Sequence, residues 1–325
     1  MYEKGWRMPR RTLRVAAPAK VNLFLSVGGR RADGFHELVT VFRSLDLWEE
    51  VTVGIAPEGD DDEVTVSGPG ASEVPTDRSN LAARAVDLLR AEAGVDRPVA
   101  IHIVKGIPVA GGMAGGSADA AAALVATDRL LGLGLSRADL EERAARLGSD
   151  IPFCVRGGTA LGTGRGEELA TLLHARAEQY VVVATAQGGL STPTVYAELD
   201  RLREARAAEG GDRALPRMGP VEPLVEALAG DDPAAVAALL GNDLQAAALS
   251  LRPELRRTLR AGEEAGSLHA MVSGSGPTCL FFCSDRDAAI AVAAEISERG
   301  VAREVRVARG PVGGARLLEP RPEER

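Results

Sequence analysis

PVAGGMAGGSADAAAAL, residues 108–124, joins a glycine-rich loop directly to an alanine-rich helix, and this junction decides the fold. Four glycines leave its backbone open to an anion: Gly111, Gly112, Gly115 and Gly116. Unpaired N–H groups and the positive end of the helix dipole converge at a helix start, so a di- or triphosphate is the natural ligand. Ser117 could cap the helix, donate to a phosphate or hold a bridging Mg²⁺. The segment predicts a phosphate-binding loop, and the alternative is a tight helix-packing turn.

Other nucleotide-binding motifs do not fit this loop. No lysine follows its glycines before a serine or threonine, so it is not the Walker motif of P-loop proteins, and it lacks the G-x-G-x-x-G spacing of dinucleotide-binding folds. The chain also lacks the HRD and DFG motifs of protein kinases. The loop therefore indicates a different class of phosphate-binding protein.

The pattern on both sides of the loop predicts an α+β fold. Strand-like runs at 12–17, 20–27 and 38–56 come first, and helical periods begin near Ser79, Ser117 and Ser136. The second half mixes strands near 158–163, 179–185, 268–272, 278–283 and 302–308 with helices near 193–209, 221–228, 233–240, 253–265 and 285–299. This order has no regular strand–helix alternation and no internal repeat. We place an N-terminal domain at 12–170, a C-terminal domain at 171–308, flexible tails at 1–11 and 309–325, and a disordered loop at 208–220.

Composition excludes several classes of protein. The 325 residues are 45% hydrophobic and 26% charged, which is typical of a globular chain and not of a disordered or fibrous one. A net charge of −8 disfavours nucleic-acid binding. No apolar run is long enough to span a membrane and no secretory signal is present, so we expect a cytoplasmic protein without an obligate partner. The three cysteines lack zinc-site spacing and are expected to be buried free thiols.

Three further segments carry side chains suited to chemistry. PAKVNLFL places Lys20 and Asn22 on one face of a strand, and GSDIPF places Asp150 just past a helix end. MVSGSGPTCLFF, residues 271–282, is a second glycine-rich turn. Taken singly, Lys20 reads as a surface lysine, Asp150 as a turn residue and the third segment as an ordinary hairpin.

In this order the four segments resemble the motifs of the GHMP kinase superfamily. AKVNLFLSVGGRRADGFHEL, residues 19–38, is similar to the opening of the kinases that act on 4-diphosphocytidyl-2-C-methyl-D-erythritol in the non-mevalonate route to isoprenoids. The resemblance covers about residues 12–308. It implies a two-domain fold with an N-terminal ATP-binding domain, a C-terminal α/β sandwich domain and the active site in the cleft between them.

The resemblance also assigns roles to particular residues. It makes Lys20 and Asp150 the catalytic pair. Asp150 would accept a hydroxyl proton, and Lys20 would keep the Asp150 carboxylate ionised. ATP and Mg²⁺ are the implied cofactors, with Ser117 as the metal-ligating residue. The nucleotide contacts are Asn80, Lys105, Pro108, Val109, Ala110, Gly111, Gly112, Met113, Ala114, Gly115, Gly116, Ser117 and Ala118. The substrate contacts are Asn22, Phe35, His36, Asp150 and Tyr196.

The reaction implied is transfer of the ATP γ-phosphoryl group to the 2-hydroxyl of the methylerythritol unit. Four residues in or next to the loop depart from the family pattern: Ala110 and Ala114 stand where family members often have glycine, and Ala118 and Asp119 where serine and asparagine are common. Asp119 adds a negative charge near the phosphates, which we expect to be tolerated only if it faces magnesium or caps the helix dipole. Homoserine kinase, mevalonate kinase and a non-catalytic sugar-sensing regulator on the same fold are the alternatives.

Overall fold

The structure is a computed structural model that describes residues 11–32, 34–57, 59–109, 111–175, 177–208 and 218–319. Its strands are β1 Thr12–Arg30, β2 His36–Ile55, β3 Glu63–Ser67, β4 Val99–Val104, β5 Thr159–Thr163, β6 Glu168–Thr171, β7 Gln179–Thr185, β8 Gly241–Asn242, β9 His269–Val272, β10 Cys279–Cys283, β11 Glu304–Gly310 and β12 Arg316–Leu317. Its helices are α1 Leu81–Ala93, α2 Gly115–Leu131, α3 Arg137–Ala145, α4 Ile151–Arg156, α5 Thr192–Ala208, α6 Glu222–Ala227, α7 Pro233–Ala237, α8 Gln245–Leu251, α9 Leu255–Glu264 and α10 Arg286–Glu298. A short 3-10 helix spans Ala71–Glu73.

Two sheets carry this mixture of elements, which confirms the α+β class. The first has eight strands in the order β12-β1-β2-β4-β3, with β5 and β6 continuing from β2 and β8 pairing with β1. The long antiparallel hairpin of β1 and β2 is its centre. The second sheet has four strands in the order β11-β7-β10-β9.

The second sheet packs on two hydrophobic cores, one on each of its faces. Val181 and Val183 of β7 lie in the same core as the first sheet and α2, whereas Val182 lies in a separate core with residues of α9 and α10. Successive side chains on a strand point to opposite faces, so one sheet can close two cores. The alanines of α2 are fully buried in the shared core, and their small side chains let the helix approach the first sheet closely.

The segment after residue 308 is not a flexible tail as far as Glu319. β11 continues to Gly310, and β12 pairs with β1 by setting Val15 opposite Leu317 and Ala16 opposite Arg316. The guanidinium of Arg316 lies over the ring of Trp48, with 4.5 Å from its carbon to the ring centroid. The sequence of this segment shows no periodicity because strand pairing with β1, and not a local pattern, holds it.

The remaining predictions from the sequence agree with the structure only in part. The predicted strands at 12–17 and 20–27 are one strand, with a register shift after Pro18. The short elements α4, α8, β6, β8 and β12 were not predicted. The three cysteines are buried and free, as predicted. No helix among the described residues is long and apolar enough to cross a membrane. Most of the predicted loop 208–220 and all but Arg11 of the first tail lie outside the described residues, and the domain limits stay a prediction.

Candidate active site

Lys20 and Asp150 meet although they stand 130 positions apart in the chain. Lys20 lies on β1 with a nearly buried side chain, and its Nζ is 3.3 Å from Oδ2 of Asp150. Asp150 directly precedes α4, and its carboxylate makes no capping hydrogen bond to that helix, so it stays free to face Lys20. The predicted pair is therefore in contact.

Asn22 and Thr40 fix the position of the Lys20 ammonium. Lys20 Nζ donates to Asn22 Oδ1 over 3.1 Å, and Asn22 Nδ2 donates to Thr40 Oγ1 over 2.8 Å. Thr40 Oγ1 in turn donates to the carbonyl oxygen of Phe24 over 2.7 Å. This series of hydrogen bonds links side chains of β1 and β2 that point to the same face of the sheet. It leaves one side of the ammonium for Asp150.

The glycine-rich loop lies directly beside this pair. The backbone N–H of Lys20 donates to the carbonyl oxygen of Met113 over 3.2 Å, which ties the loop to β1. Ala114 has φ 60°, a left-handed conformation found at no other non-glycine residue that the structure describes, and it immediately precedes α2. Gly115 and Ser117 are half-buried and Gly116 is exposed, so the first turn of α2 is accessible. Met113 and Ala118 are buried, and Ala110 lies outside the described residues.

The second glycine-rich segment packs against the loop and is not an isolated hairpin. Ser273 Oγ donates to the carbonyl oxygen of Gly112 over 3.2 Å. A Cβ on Gly112 would lie 2.5 Å from the carbonyl oxygen of Ser273, and one on Gly111 would lie 2.7 Å from Thr278 Oγ1. Asn242 fixes the segment by donating to the carbonyl oxygens of Val272 and Gly274 over 2.9 and 2.7 Å. The close approach explains why both loop positions are glycine.

Aromatic residues form the other end of the site. Phe35 is 54% exposed, and the Arg165 guanidinium lies 5.2 Å from its ring centroid. The His36 ring stacks on Tyr196 with centroids 5.0 Å apart, and its Nε2 is 2.9 Å from Oδ1 of Asp200. Burial and the negative charge of Asp150 raise the pKa of Tyr196, which keeps its hydroxyl protonated. One face of Tyr196 is therefore taken by His36.

A single cavity of about 750 Å³ brings these parts together. Its wall includes Lys20, Asn22 and Asp150, the loop residues Gly112 and Ala114, and the aromatic group of Phe35, His36 and Tyr196. A carboxylate, an ammonium, a helix start and aromatic rings in one cavity suit a ligand that carries both phosphate groups and a planar ring.

Asn80 and Lys105 are engaged by the protein itself. Asn80 caps α1, because its Oδ1 accepts from the N–H of Ala82 over 2.8 Å and its Nδ2 donates to the carbonyl oxygen of Pro75 over 2.7 Å. Lys105 Nζ lies 2.7 Å from both Glu49 Oε1 and Asp119 Oδ2. Nucleotide contact by either residue stays a prediction.

The expectation for Asp119 left out its partner in the fold. Asp119 is buried at 2% exposure and its Oδ2 pairs with the Lys105 ammonium, so its charge is tolerated without requiring a metal ion or the helix dipole. The compensating lysine is at the end of β4, and only the packing of α2 on the sheet brings the two side chains together.

Sequence reasoning missed Asp200, Thr40 and Glu49. Asp200 stands four residues after Tyr196 on α5, so the two share a helix face, and this spacing could have identified it. Thr40 and Glu49 lie on β2, and their roles depend on strand register, which the sequence does not specify.

Comparison with known proteins identifies the family. Residues 80–158 match the model of the GHMP kinases N terminal domain, and residues 224–302 match GHMP kinases C terminal. A 4-diphosphocytidyl-2-C-methyl-D-erythritol kinase of Nocardia farcinica is 58% identical over 306 residues, which cover 94% of this chain and 96% of that protein. The chain belongs to the 4-diphosphocytidyl-2-C-methyl-D-erythritol kinase family.

Solved structures agree with membership of this kinase family. The crystal structure of a 4-(cytidine 5'-diphospho)-2C-methyl-D-erythritol kinase is 32% identical, covers 93% of this chain and 100% of its own, and superposes with a TM-score of 0.71. Homoserine kinase from Cytophaga hutchinsonii gives a TM-score of 0.72 with 98% of this chain and 100% of that chain covered. Its identity is only 19%, so it supports the fold alone. The chain is thus a small-molecule kinase with the two-part GHMP fold.

Proposed function

We propose that this kinase transfers the γ-phosphoryl group of ATP to the 2-hydroxyl of 4-diphosphocytidyl-2-C-methyl-D-erythritol. The observation that carries the proposal is the 3.3 Å contact of Lys20 with Asp150 in a cavity bounded by the glycine-rich loop and the aromatic group. The acceptor hydroxyl would lie at Asp150, between the two ligand-binding ends. The curated relatives carry the same activity in their name.

In this mechanism Asp150 Oδ2 accepts the proton of the attacking hydroxyl. Lys20 pairs with the carboxylate and withdraws charge from the attacking oxygen, while Asn22 holds the ammonium in place. The free N–H groups at the start of α2 would bind the phosphate oxygens on which negative charge develops. Catalysis of this kind consists mainly of positioning and charge neutralisation.

Mg²⁺ fits the site only in company with phosphate oxygens. The described residues contain no group of three or more His, Cys, Asp or Glu side chains that could hold a metal ion. The half-buried Ser117 at the start of α2 forms no side-chain hydrogen bond with another described residue, so its hydroxyl is available as one ligand. Magnesium usually takes phosphates and water for its other positions, and when bound it would neutralise charge on the transferring phosphate.

Phe35, His36 and Tyr196 support a cytidyl substrate over the smaller acceptors of homoserine or mevalonate kinases. A planar base can stack on the exposed ring of Phe35, and His36 can form a hydrogen bond with a base edge. A non-catalytic regulator is disfavoured because Lys20 and Asp150 are both present and in contact.

A coupled assay with a panel of hydroxylated acceptors tests the proposal. The purified chain should consume ATP with 4-diphosphocytidyl-2-C-methyl-D-erythritol and not with homoserine or mevalonate. Equal turnover of all three acceptors would contradict the assignment of the substrate. Absence of turnover with any of them, in a chain that binds ATP, would favour the regulator.

A further inference from the structure

Glu49, Lys105 and Asp119 form a buried group behind the glycine-rich loop, here called the triad. They come from β2, the residue after β4, and α2, and their side chains are at most 3% exposed. The Lys105 ammonium is 2.7 Å from each carboxylate, and Glu49 Oε2 accepts from the N–H of Gly106 over 2.9 Å. Asp119 Oδ1 is buried without a hydrogen-bond partner among the described residues.

The triad lies against Gly115, the first residue of α2, where the phosphate site begins. A Cβ on Gly115 would lie 3.0 Å from Glu49 Oε1 and 3.5 Å from Lys105 Nζ. The glycine therefore lets the charged groups approach the helix start from behind. None of the three triad residues lines the 750 Å³ cavity.

Because the triad is buried, its stability depends strongly on the balance between its positive and negative charges. Removing one partner of a buried ion pair leaves an uncompensated charge, which costs far more than the pair contributes to stability. Burial would lower the pKa of Lys105, but the two carboxylates outweigh it and raise the pKa above its usual value, so the ammonium stays charged. Without it, Glu49 and Asp119 would lose the ammonium that lies between them, directly behind the helix start at which phosphates are to bind.

We propose that Lys105 is a positioning residue for the nucleotide and not a ligand of it: with Glu49 and Asp119 it forms a charge-compensated triad that fixes the first turn of α2. The inference rests on the proposed function, because it assumes that ATP binds at this turn. It also accounts for Asp119, since an aspartate here is tolerated when Lys105 and Glu49 surround it. Lys105 acts on ATP through the position and charge of the loop.

The test compares the single variant K105M with the charge-balanced triple variant E49Q/K105M/D119N. ATP and ADP binding are measured by calorimetry, and KM for both substrates by steady-state kinetics. In K105M we expect ATP binding to weaken at least about tenfold while KM for the methylerythritol substrate stays within about twofold. The triple variant keeps the side-chain shapes without the charges, and we expect it to bind ATP within about threefold of wild type.

The other outcomes contradict the proposed role of the triad. If the triple variant binds ATP as weakly as K105M, Lys105 is a direct ligand, and if K105M binds ATP like wild type, the triad has no role in binding. If K105M does not fold, ATP binding by the triple variant is the test. An affinity within about threefold of wild type supports the proposal, and weaker binding contradicts it. Wild-type protein that does not bind ATP at all would contradict the proposed function instead.

Discussion

The two ends of the cavity are built from different parts of the chain. At the nucleotide end, backbone atoms of a glycine-rich loop pack against a second glycine-rich segment, and the Ser273 carbonyl oxygen lies only 2.5 Å from where a Cβ of Gly112 would stand. At the acceptor end, side chains of Phe35, His36, Tyr196 and Arg165 form the wall, and Phe35 is exposed. A backbone site cannot absorb an added atom, whereas a side-chain wall can lose one member and keep its shape.

The comparison predicts different kinds of damage. Substitutions at the nucleotide end should reduce both stability and ATP binding, because the same close contacts serve both. Substitutions at the acceptor end should alter KM for one substrate and leave folding intact. Asp150 lies between the two ends and should affect neither binding nor stability strongly.

The largest effect is expected for Asp150→Asn. The amide has the same shape but cannot accept the proton, so kcat should fall at least about a hundredfold while ATP still raises the melting temperature. Rates and thermal melts should be measured on one preparation. A variant that keeps more than about a tenth of wild-type kcat, which corresponds to less than about 1.4 kcal/mol of added barrier, would show that Asp150 is not the base.

Gly112→Ala tests the backbone end. Gly112 has φ 70°, and its Cβ would lie 2.5 Å from the Ser273 carbonyl oxygen, so we expect about 2–4 kcal/mol lower free energy of unfolding and weaker ATP binding. Gly132→Ala is the matched control, because Gly132 has φ 69° but nothing within 4 Å of its Cβ. The control should lose only about 1 kcal/mol and no ATP affinity. Equal losses in denaturant titrations would show that the contact with Ser273 is unimportant.

The triad predicts a pH dependence of stability. Burial, and then the charge of Asp119, raise the pKa of Glu49 from 4.5 to about 7. Between these values the folded state holds a proton that the unfolded state releases, so the contribution of Glu49 to the free energy of unfolding is complete below pH 4.5 and lost as pH rises through about 7. The loss is on the order of 3 kcal/mol.

Glu49→Gln is the control for this pH dependence. The amide does not titrate, so the decline in melting temperature from pH 5 to pH 8 should be shallower in the variant than in wild type. Parallel melting curves for the two proteins would mean that Glu49 does not exchange its proton in this range.

Phe35→Ala tests the acceptor end and should have the smallest effect on the molecule as a whole. Base stacking on an aromatic ring contributes about 1–3 kcal/mol, so KM for the cytidyl substrate should rise about 5- to 150-fold. KM for ATP and the melting temperature should not change, because the ring is 54% exposed. A parallel rise in both KM values would mean that the two ends are not independent.

The sequence alone predicted those parts that depend on local pattern. Glycine spacing before a helical period predicted a phosphate-binding loop within residues 108–124. Asp150 taken singly was interpreted as a turn residue, and only the resemblance to the GHMP kinase superfamily paired it with Lys20, from which it lies 3.3 Å. The same resemblance assigned Phe35, His36 and Tyr196 to the substrate, and all three line one cavity. The loop is visible in the sequence by itself because its glycines and its helix lie within one short stretch of chain.

Only the tertiary structure decided how distant segments compensate one another. Asp119 was expected at a metal ion or the helix dipole, yet it pairs with Lys105 beside Glu49, because strand register and helix packing bring three separate elements to one point. The segment at 309–319 was expected to be flexible, yet it reaches back to β1. Neither pairing leaves a periodic trace in the sequence, since a strand pair or buried ion pair is specified by its partner and not by its neighbours in the chain.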